Sequence, residues 1–467
     1  MKTAFFCTLL TVAAQLPLHQ TATAQATPQQ LAAVAAAYAK AGQLSGTVLV
    51  ADHGKIVFSK GYGLANREWS QPNAADTKFR LGSLTKQFTA MLVMQLVEKG
   101  KLRLDAHVSD YLPDYPKATG DKITLHQLLT HTAGVPSYTS QASYATASLL
   151  PTTPAAFVAT FSGMPLDFEP GTSWKYSNSG YFLLGAIIEK VAGKPYEQVL
   201  GEQILKPLGM QNSGFDLAEN ILPHRAAGYD RTPEGLYNTT YVDMSVPYAA
   251  GALYSTVGDL YKWDQALYST QLLSEAGKAR MFKADRKHYA YGWLNMKLAV
   301  GTDSVGVLAH SGHVNGFGTY LLRVPQEHQL VVVLDNEGGQ HVQELSLDLL
   351  RVLHQQPTKG PQAPAPKPTT AQATPATPVA VDAATLAGYV GRYQLSPAFF
   401  ITVKAAGNQL SAQATGQNAL VLAATGQGRF NVQGAAAEVE FVKNASGAVD
   451  KLILHQGGAD TPGVKIE

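Results

Sequence analysis

The stretch FRLGSLTKQFTAMLVMQLVEKG, residues 79–100, predicts a buried helix that begins with a short polar turn. Apolar residues recur on one side of this helix, and the run MLVM at 91–94 is apolar in almost every direction, which is typical of a helix inside a domain. Gly100 is well suited to end it. Ser83 and Lys86 stand three residues apart where the helix starts, so their side chains should lie on one side of it.

Two interpretations of the pair Ser83 and Lys86 are open. In the first, Ser83 caps the helix and Lys86 is solvated; a Ser-x-x-Lys pattern is expected about once by chance in a chain of this composition. In the second, Ser83 is a nucleophile and Lys86 is its base. The partial positive charge of a helix N-terminus favours a negative oxygen at the serine and lowers the pKa of the lysine, and an unprotonated lysine can accept the hydroxyl proton.

Length and charge narrow the class of protein. A chain of 467 residues is too long for one ordinary core, so two or more domains are expected. A formal charge of +2 gives no electrostatic reason to expect nucleic acid or an anionic membrane surface as a partner. The histidines are scattered without a metal-binding motif, and neither a metal nor another cofactor is expected.

Residues 1–26, MKTAFFCTLLTVAAQLPLHQTATAQA, have the pattern of a secretory signal peptide. Lys2 precedes an apolar run at 4–16, and small residues at 22–26 suit a cleavage site. A membrane anchor is the alternative, although the apolar run is short for a bilayer. We therefore expect a periplasmic or secreted protein without a stable membrane anchor, and its oligomeric state stays open. The only cysteine, Cys7, lies in this segment, so a mature chain without disulfides or a cysteine nucleophile is expected.

Composition divides the remaining chain into three parts. Residues 356–380 are rich in Pro, Ala and Thr and predict an extended, semi-rigid linker. Residues 381–467 contain short alternating strands separated by Gly-containing turns, which predicts a small all-β domain, a closed or nearly closed antiparallel barrel. Residues 27–355 form the main domain.

The main domain mixes strands and helices. GTVLVADHGKIVFSKGYG, residues 46–63, predicts a hairpin that turns at 52–54, and more than 200 mostly helical residues follow it. A helix is expected at 341–354, and four late strands are expected within 289–300, 304–310, 317–324 and 329–337. We predict an α/β (α+β) fold in which both ends of the domain build one antiparallel sheet flanked by helices, with a mostly helical lobe inserted between them. A cleft at the lobe boundary is the expected binding site.

A second group of polar residues precedes a later helix. Residues 177–179 are good caps for a helix predicted at 181–191, and Asn178 is open to the simple interpretation of a cap. Tyr176 lies just outside this helix, where its phenol can point into a cleft. Beside Lys86 the phenol could be held partly as phenolate and relay protons, whereas an isolated tyrosine, with a pKa near 10, is a poor base.

The third group is the segment AHSGHVNGF, residues 309–317. We expect a strand to end at His310, followed by Gly312 and Gly316, and glycines at a strand edge permit close backbone approach to a ligand. The alternative is a histidine at the surface end of a strand, and His-x-Gly also occurs at His455. No Gly-x-Ser-x-Gly is present, so the nucleophile elbow of α/β-hydrolases is missing. A Ser-His-Asp triad stays open, because its members can be far apart in sequence.

Three motifs, taken in order, resemble those of the serine β-lactamase-related family, which includes class C β-lactamases, penicillin-binding proteins, D-amino-acid peptidases and esterases. They are Ser83-x-x-Lys86, Tyr176-Ser177-Asn178 and His310-Ser311-Gly312. Segments such as ITLHQLLTHTAGVPSY and AAGALYSTVGDLYKWDQAL are also similar, and the resemblance covers roughly residues 30–355. It implies an α/β domain and a helical domain with the site between them.

The resemblance also implies roles for individual residues. Ser83 would be the acylated nucleophile, Lys86 and Tyr176 would share the role of general base, and His310 would belong to the catalytic group. Asn178 and Gly312 would contact the substrate. The oxyanion hole would consist of the backbone N–H groups of Ser83 and His313, placed where negative charge develops in the transition state.

One position departs from the β-lactamases. They usually have Lys-Thr-Gly or Lys-Ser-Gly where this chain has His310, and histidine is mostly neutral near pH 7. The chain is therefore more similar to the peptidase and esterase branches. We expect a serine hydrolase that forms an acyl-enzyme with a small ester, amide or peptide; the alternatives are a non-hydrolytic protein that binds peptides or peptidoglycan fragments, and a weak β-lactamase. The C-terminal module resembles the small lipocalin-like domains appended to some of these hydrolases, and its role stays open.

Overall fold

The computed structural model describes residues 27–361, except 142, 233–234 and 302, and residues 381–466, except 397–398, 408, 415–418, 427, 434–436, 445 and 457–458. The predicted signal segment 1–26 and all but the first six residues of the predicted linker lie outside the described residues. The chain divides into two compact units, with the division after residue 362. Each unit is described by itself.

The first unit contains the helices and the sheet that surround the site. Its α-helices are α1 Pro28–Lys40, α2 Thr85–Glu98, α3 Val108–Tyr111, α4 Lys117–Gly120, α5 Leu125–Thr130, α6 Tyr144–Ala147, α7 Pro154–Ser162, α8 Asn178–Ala192, α9 Tyr196–Leu200, α10 Tyr248–Gly251, α11 Val257–Ala266, α12 Glu275–Met281 and α13 Val342–Leu353. Its strands are β1 Gly46–Asp52, β2 Lys55–Tyr62, β3 Leu64–Asn66, β4 Gln71–Pro72, β5 Phe79–Arg80, β6 Gly214–Phe215, β7 Tyr229–Thr232, β8 Gly235–Asn238, β9 Leu253–Ser255, β10 Leu294–Val300, β11 Asp303–Val314, β12 Phe317–Val324 and β13 Gln329–Asp335. Short 3-10 turns lie at 82–84, 138–140, 286–288 and 325–327, and a π-helical turn lies at 201–205.

The main sheet joins the two ends of this unit, as the sequence predicted. Its strand order is β10-β11-β12-β13-β1-β2, and every pairing is antiparallel. The hairpin β1–β2 turns at His53 and Gly54, both at positive φ, and β1 pairs with β13 in the register Val48↔Val333. The predicted α/β (α+β) architecture is confirmed.

The central strands are buried along their whole length because helices cover both faces of the sheet. All seven residues of β1 are buried. Leu49 and Ala51 face the core that contains α2, whereas Val48 and Val50 face a second core formed with α1 and α13. Alternating side chains therefore enter two different cores, which explains why the strand lacks a polar face.

Helix α2 lies in the larger core, as predicted from its apolar run. Its first twelve residues are buried, and Phe88 stacks on Trp263 with ring centroids 4.4 Å apart. Ser83 makes no capping hydrogen bond to this helix; it lies in the 3-10 turn at 82–84, directly before α2. Lys86 has no exposed surface. The interpretation of a capping serine followed by a solvated lysine is therefore wrong.

Two element boundaries differ from the predictions. Strand β11 does not end at His310 but continues to Val314, with Gly312 paired to Thr319. Pairing with β12 explains this extension, because a ladder partner favours the extended backbone whatever the local sequence. Helix α8 begins at Asn178, earlier than predicted, with Ser177 as the N-cap.

The second unit is a closed antiparallel barrel, which confirms the predicted all-β module. It contains helix α14 Ala383–Tyr389 and strands β14 Gly391–Ser396, β15 Phe399–Ala406, β16 Gln409–Ala414, β17 Leu420–Gly426, β18 Arg429–Val432, β19 Ala437–Lys443, β20 Val449–Gln456 and β21 Ala459–Lys465. Its interior is apolar, and Tyr389 from α14 stacks on Phe441 at 4.5 Å. In the described parts of the chain, no helix combines the length and apolar character needed to cross a bilayer.

Candidate active site

Lys86 is the most constrained side chain of the site. Its Nζ lies 3.0 Å from Oγ of Ser83, 2.8 Å from Oδ1 of Asn178 and 2.8 Å from the carbonyl oxygen of Ala250. Nζ also lies 4.8 Å from the ring centroid of Tyr176. The lysine therefore joins the first and second sequence motifs, which are about ninety residues apart in the chain.

The surroundings of Lys86 favour its unprotonated form. Burial lowers the pKa of this amine well below its ordinary value, and its described partners include no carboxylate that would stabilise a positive charge. A neutral amine has two N–H groups and one lone pair. Because Asn178 Oδ1 and Ala250 O can only accept, they take the two N–H groups, and the lone pair is left for the hydroxyl proton of Ser83.

The aromatic ring of Tyr176 lies against the amine of Lys86, and the Tyr176 side chain also forms a hydrogen bond with Ser83. Burial raises the pKa of the Tyr176 phenol, and a hydrogen bond with Ser83 partly opposes this rise. The expectation of a partial phenolate is therefore wrong for this structure. The reason is physical: a buried lysine that loses its own charge cannot stabilise a phenolate beside it. Tyr176 is instead a neutral phenol, suited to donate a proton.

His131, which the sequence reasoning did not select, fixes the position of Tyr176. Its carbonyl oxygen accepts a hydrogen bond from Lys175 N at 3.1 Å, and its Nδ1 accepts one from Ser177 N at 3.2 Å. The His131 and Tyr176 rings lie 4.2 Å apart between centroids. His131 is 2% exposed and adopts the left-handed conformation at the end of α5. It thus holds both neighbours of Tyr176 and one face of its ring.

The protonation of His131 agrees with this arrangement. Burial lowers the pKa of His131 well below its ordinary value. The ring is therefore neutral near pH 7, and Nδ1 is free to accept the hydrogen bond from Ser177. The segment LLTHTAG carried only one weak signal of this role, a histidine directly after a capped amphipathic helix.

His310 is buried, with both ring nitrogens engaged. Nδ1 donates to the carbonyl oxygen of Ser311, and Nε2 accepts from the Tyr289 hydroxyl at 2.9 Å. Burial lowers the pKa of His310 to about 4. The imidazole is therefore neutral near pH 7. Its catalytic role stays a prediction, and these contacts favour a role in positioning.

Asn178 connects the nucleophile to the helical lobe. Its Oδ1 faces Lys86, its Nδ2 donates to Thr139 Oγ1 at 3.2 Å, and its backbone N donates to Ser137 Oγ at 3.1 Å. Asn178 is the first residue of helix α8, and Ser177 rather than Asn178 is the cap. The predicted contact of Asn178 with substrate stays a prediction.

Two glycines let strand β11 approach the nucleophile closely. A Cβ on Gly312 would lie 2.0 Å from Leu81 O and 3.0 Å from Ser83 N. A Cβ on Gly82, which has φ +54°, would lie 2.6 Å from His313 N. The backbone of 81–83 therefore packs directly on 312–313, and this brings the predicted oxyanion donors, Ser83 N and His313 N, to one place. Gly312 thus approaches protein backbone, and its predicted contact with substrate stays untested.

The cleft at Ser83 has a volume of about 320 Å³. It is lined by residues from both sides of the unit, including Tyr138, Tyr144, Asp230, His313 and Phe317. Among the described residues, no group of three or more His, Cys, Asp and Glu side chains is placed to hold a metal ion.

Comparison with known proteins gives matches across most of the chain. The Beta-lactamase family model matches residues 31–356. Penicillin-binding protein 4* of Bacillus subtilis (strain 168) is 29% identical over 445 residues, which cover 91% of this chain and 95% of that protein. Esterase EstB of Burkholderia gladioli is 33% identical over 44% of this chain and 55% of its own length. Among solved structures, a D-stereospecific amidohydrolase from Streptomyces sp. is similar with a TM-score of 0.59 and 25% identity, over 68% of this chain and 97% of that one.

Proposed function

The chain belongs to the β-lactamase family and is a serine hydrolase, and we propose that it cleaves a small ester or amide through an acyl-enzyme on Ser83. The observation that carries this proposal is the 3.0 Å contact between Ser83 Oγ and the buried Lys86 Nζ. An unprotonated amine beside a hydroxyl is the arrangement that makes serine nucleophilic. The names of the esterase and the amidohydrolase support both substrate types, esters and amides.

Acylation begins when Ser83 Oγ attacks the substrate carbonyl carbon. Lys86 Nζ takes the hydroxyl proton as the bond forms, and the backbone N–H groups of Ser83 and His313 stabilise the oxyanion. Tyr176 donates its proton to the leaving alcohol or amine and is reprotonated from Lys86. The C–O or C–N bond of the substrate then breaks, and the acyl group stays on Ser83.

Deacylation reverses the proton path. Water attacks the acyl carbon, and its proton passes through Tyr176 to Lys86, the groups beside Ser83. Collapse of the tetrahedral intermediate breaks the bond to Ser83 Oγ, which regains its proton from Lys86. The products are a carboxylic acid and the free enzyme.

A substrate panel on the purified protein tests the proposal. Wild type and Ser83→Ala are compared on p-nitrophenyl esters and on peptides and amides with D- or L-alanine. We expect turnover of esters or amides by the wild type and its loss in Ser83→Ala. Binding of these compounds without turnover by the wild type would instead identify a non-hydrolytic binding protein. Turnover that survives in Ser83→Ala would refute the assignment of the nucleophile.

We also propose that the enzyme works in the periplasm or outside the cell. The support is the signal-like pattern of residues 1–26. N-terminal sequencing of the protein from periplasm or medium should give a chain that starts just after the small residues at 22–26. A full-length chain retained in the cytoplasm would contradict this.

A further inference from the structure

The cleft at Ser83 has a marked charge asymmetry. Among the described residues that line it, Asp230 supplies an acidic side chain, and none is a lysine or an arginine. Burial lowers the pKa of His313, which also lines the cleft, and His310 beside it is neutral. The site therefore presents one carboxylate and, within its described lining, no cation for an anionic substrate.

Asp230 lies in the hairpin formed by strands β7 and β8. This hairpin is fixed beside strand β11, which contains His313, one of the predicted oxyanion donors. Strand β7 is held by a hydrogen bond from Tyr229 N to Asn336 O at 2.9 Å. A Cβ on Gly316, in the turn after β11, would lie 2.7 Å from the backbone of Gly228. The carboxylate is thus attached to backbone that packs on the turn following His313, and its position relative to the reacting carbonyl is set by the fold.

The charge of Asp230 is not neutralised within the described protein. Its hydrogen bond comes from the hydroxyl of Thr239, whose Oγ1 donates to Oδ2 at 2.8 Å, and it forms no ion pair with a described residue. The adjacent Arg231 pairs with Glu337 instead, since successive side chains on a strand point to opposite faces. Oδ1 therefore stays available inside a cleft.

The walls of the cleft suit a cation as well. Tyr144 and Phe317 line it together with Asp230. Aromatic faces attract ammonium groups, and a half-buried carboxylate without a counter-ion gains free energy when a cation pairs with it. A carboxylate and aromatic rings together form a chemical environment that favours an ammonium group over a carboxylate or an uncharged alkyl group.

We propose that the natural substrate is an ester or amide that carries an ammonium group, which Asp230 binds while the carbonyl reacts at Ser83. This rests on the proposed function and names its substrate class. Asp230 is then a specificity residue for the reaction that Ser83 and Lys86 perform.

Isosteric probes test the proposal. p-Nitrophenyl esters are prepared at several chain lengths with an acyl chain that ends in trimethylammonium, in tert-butyl or in carboxylate. The first two groups have the same shape and differ only in charge, and the charge of trimethylammonium does not change with pH. The ratio of kcat/KM for the ammonium ester to that for the tert-butyl ester, at the best chain length, measures recognition of the charge.

For the wild type we expect this ratio to be about 10 or more and to decrease with added salt. Of the three esters, the ammonium ester should have the highest kcat/KM. Asp230→Asn should bring the ratio close to one, because kcat/KM for the ammonium ester falls toward that for the tert-butyl ester. Asp105→Asn, which removes an exposed carboxylate paired with Arg103, is the matched control and should keep the wild-type ratio.

A wild-type ratio near one, or an unchanged ratio in Asp230→Asn, overturns the inference about the ammonium group. If the wild type still turns over the tert-butyl ester and this turnover depends on Ser83, the proposed function stays intact. A wild type that turns over none of the esters and is not labelled at Ser83 by a fluorophosphonate overturns both.

Discussion

Lys86 Nζ lies 3.0 Å from Ser83 Oγ, and carbonyl oxygens occupy its other two hydrogen-bonding positions. In the neutral lysine this leaves the lone pair directed at the hydroxyl. The serine is therefore paired with a base before substrate arrives, and no reorganisation of the protein is needed for the first proton transfer.

The pH dependence of activity follows from the lowered pKa of Lys86 and the raised pKa of Tyr176. Lys86 acts when unprotonated, and its lowered pKa means that the active form appears at lower pH than for an ordinary lysine. Tyr176 acts when protonated, and its raised pKa moves the alkaline loss of activity upward. We expect kcat/KM for a neutral ester to rise with pH to an alkaline plateau. A rate that falls steadily from about pH 5 to 9 would contradict this.

Tyr176→Phe should keep the ring packing and remove the proton donor. We expect kcat to fall by about 10²–10⁴-fold, the usual range for a general acid or base, with little change in the free energy of unfolding. Tyr144→Phe is the matched control, since Tyr144 lines the cleft at Ser83, and it should retain most of the activity. Equal losses in both variants would argue against a proton relay through Tyr176.

His131→Phe tests the support behind Tyr176. The substitution keeps an aromatic ring but leaves the buried Ser177 N–H without its acceptor, which costs about 1–3 kcal/mol of stability. Because Tyr176 then loses its fixed position, we expect kcat to fall more than KM changes, and the pH profile to shift. Steady-state kinetics and urea unfolding on one preparation separate the two effects. Reduced stability with an unchanged kcat would limit His131 to a structural role.

Gly312→Ala tests the close approach of β11 to the nucleophile. The added methyl would meet Leu81 O at 2.0 Å, so strand and turn must separate, and the two oxyanion donors with them. We expect a loss of about 10²–10³-fold in kcat, as for removal of one donor. Gly201→Ala, at a helical position with open space around it, is the control and should be neutral. Wild-type kinetics in Gly312→Ala would disprove the packing argument.

The cleft predicts poor activity on β-lactams. Penicillins and nitrocefin carry a carboxylate, and the described lining of the cleft offers Asp230 and a neutral His313 rather than a cation. We expect nitrocefin hydrolysis to be weak or absent under conditions where neutral esters are cleaved. Efficient nitrocefin turnover would contradict this assignment of charges.

Much of the fold could be predicted because the relevant signals are local. The apolar run of β1, the apolar run of α2 and the alternation of the barrel strands each report burial directly. The extension of β11 past His310 could not be predicted from its own residues, because pairing with β12 produces it.

The residues of the site could be predicted where the residue type and its sequence motif indicate the chemistry. Ser83, Lys86 and Tyr176 come together as expected from their motifs. His131 was not selected, because its role depends on a left-handed backbone and on a contact with Ser177, forty-six residues away. The protonation of Tyr176 was predicted wrongly, since the degree of burial decides it and a sequence does not give burial at single atoms.

Mass spectrometry after reaction with a fluorophosphonate tests the central assignment most directly. The protein is labelled across a pH series, digested and mapped. A single adduct on Ser83, formed faster as Lys86 loses its proton and in step with loss of esterase activity, is the predicted result. An adduct on another residue with turnover intact, or inactivation that leaves Ser83 unmodified, would contradict it.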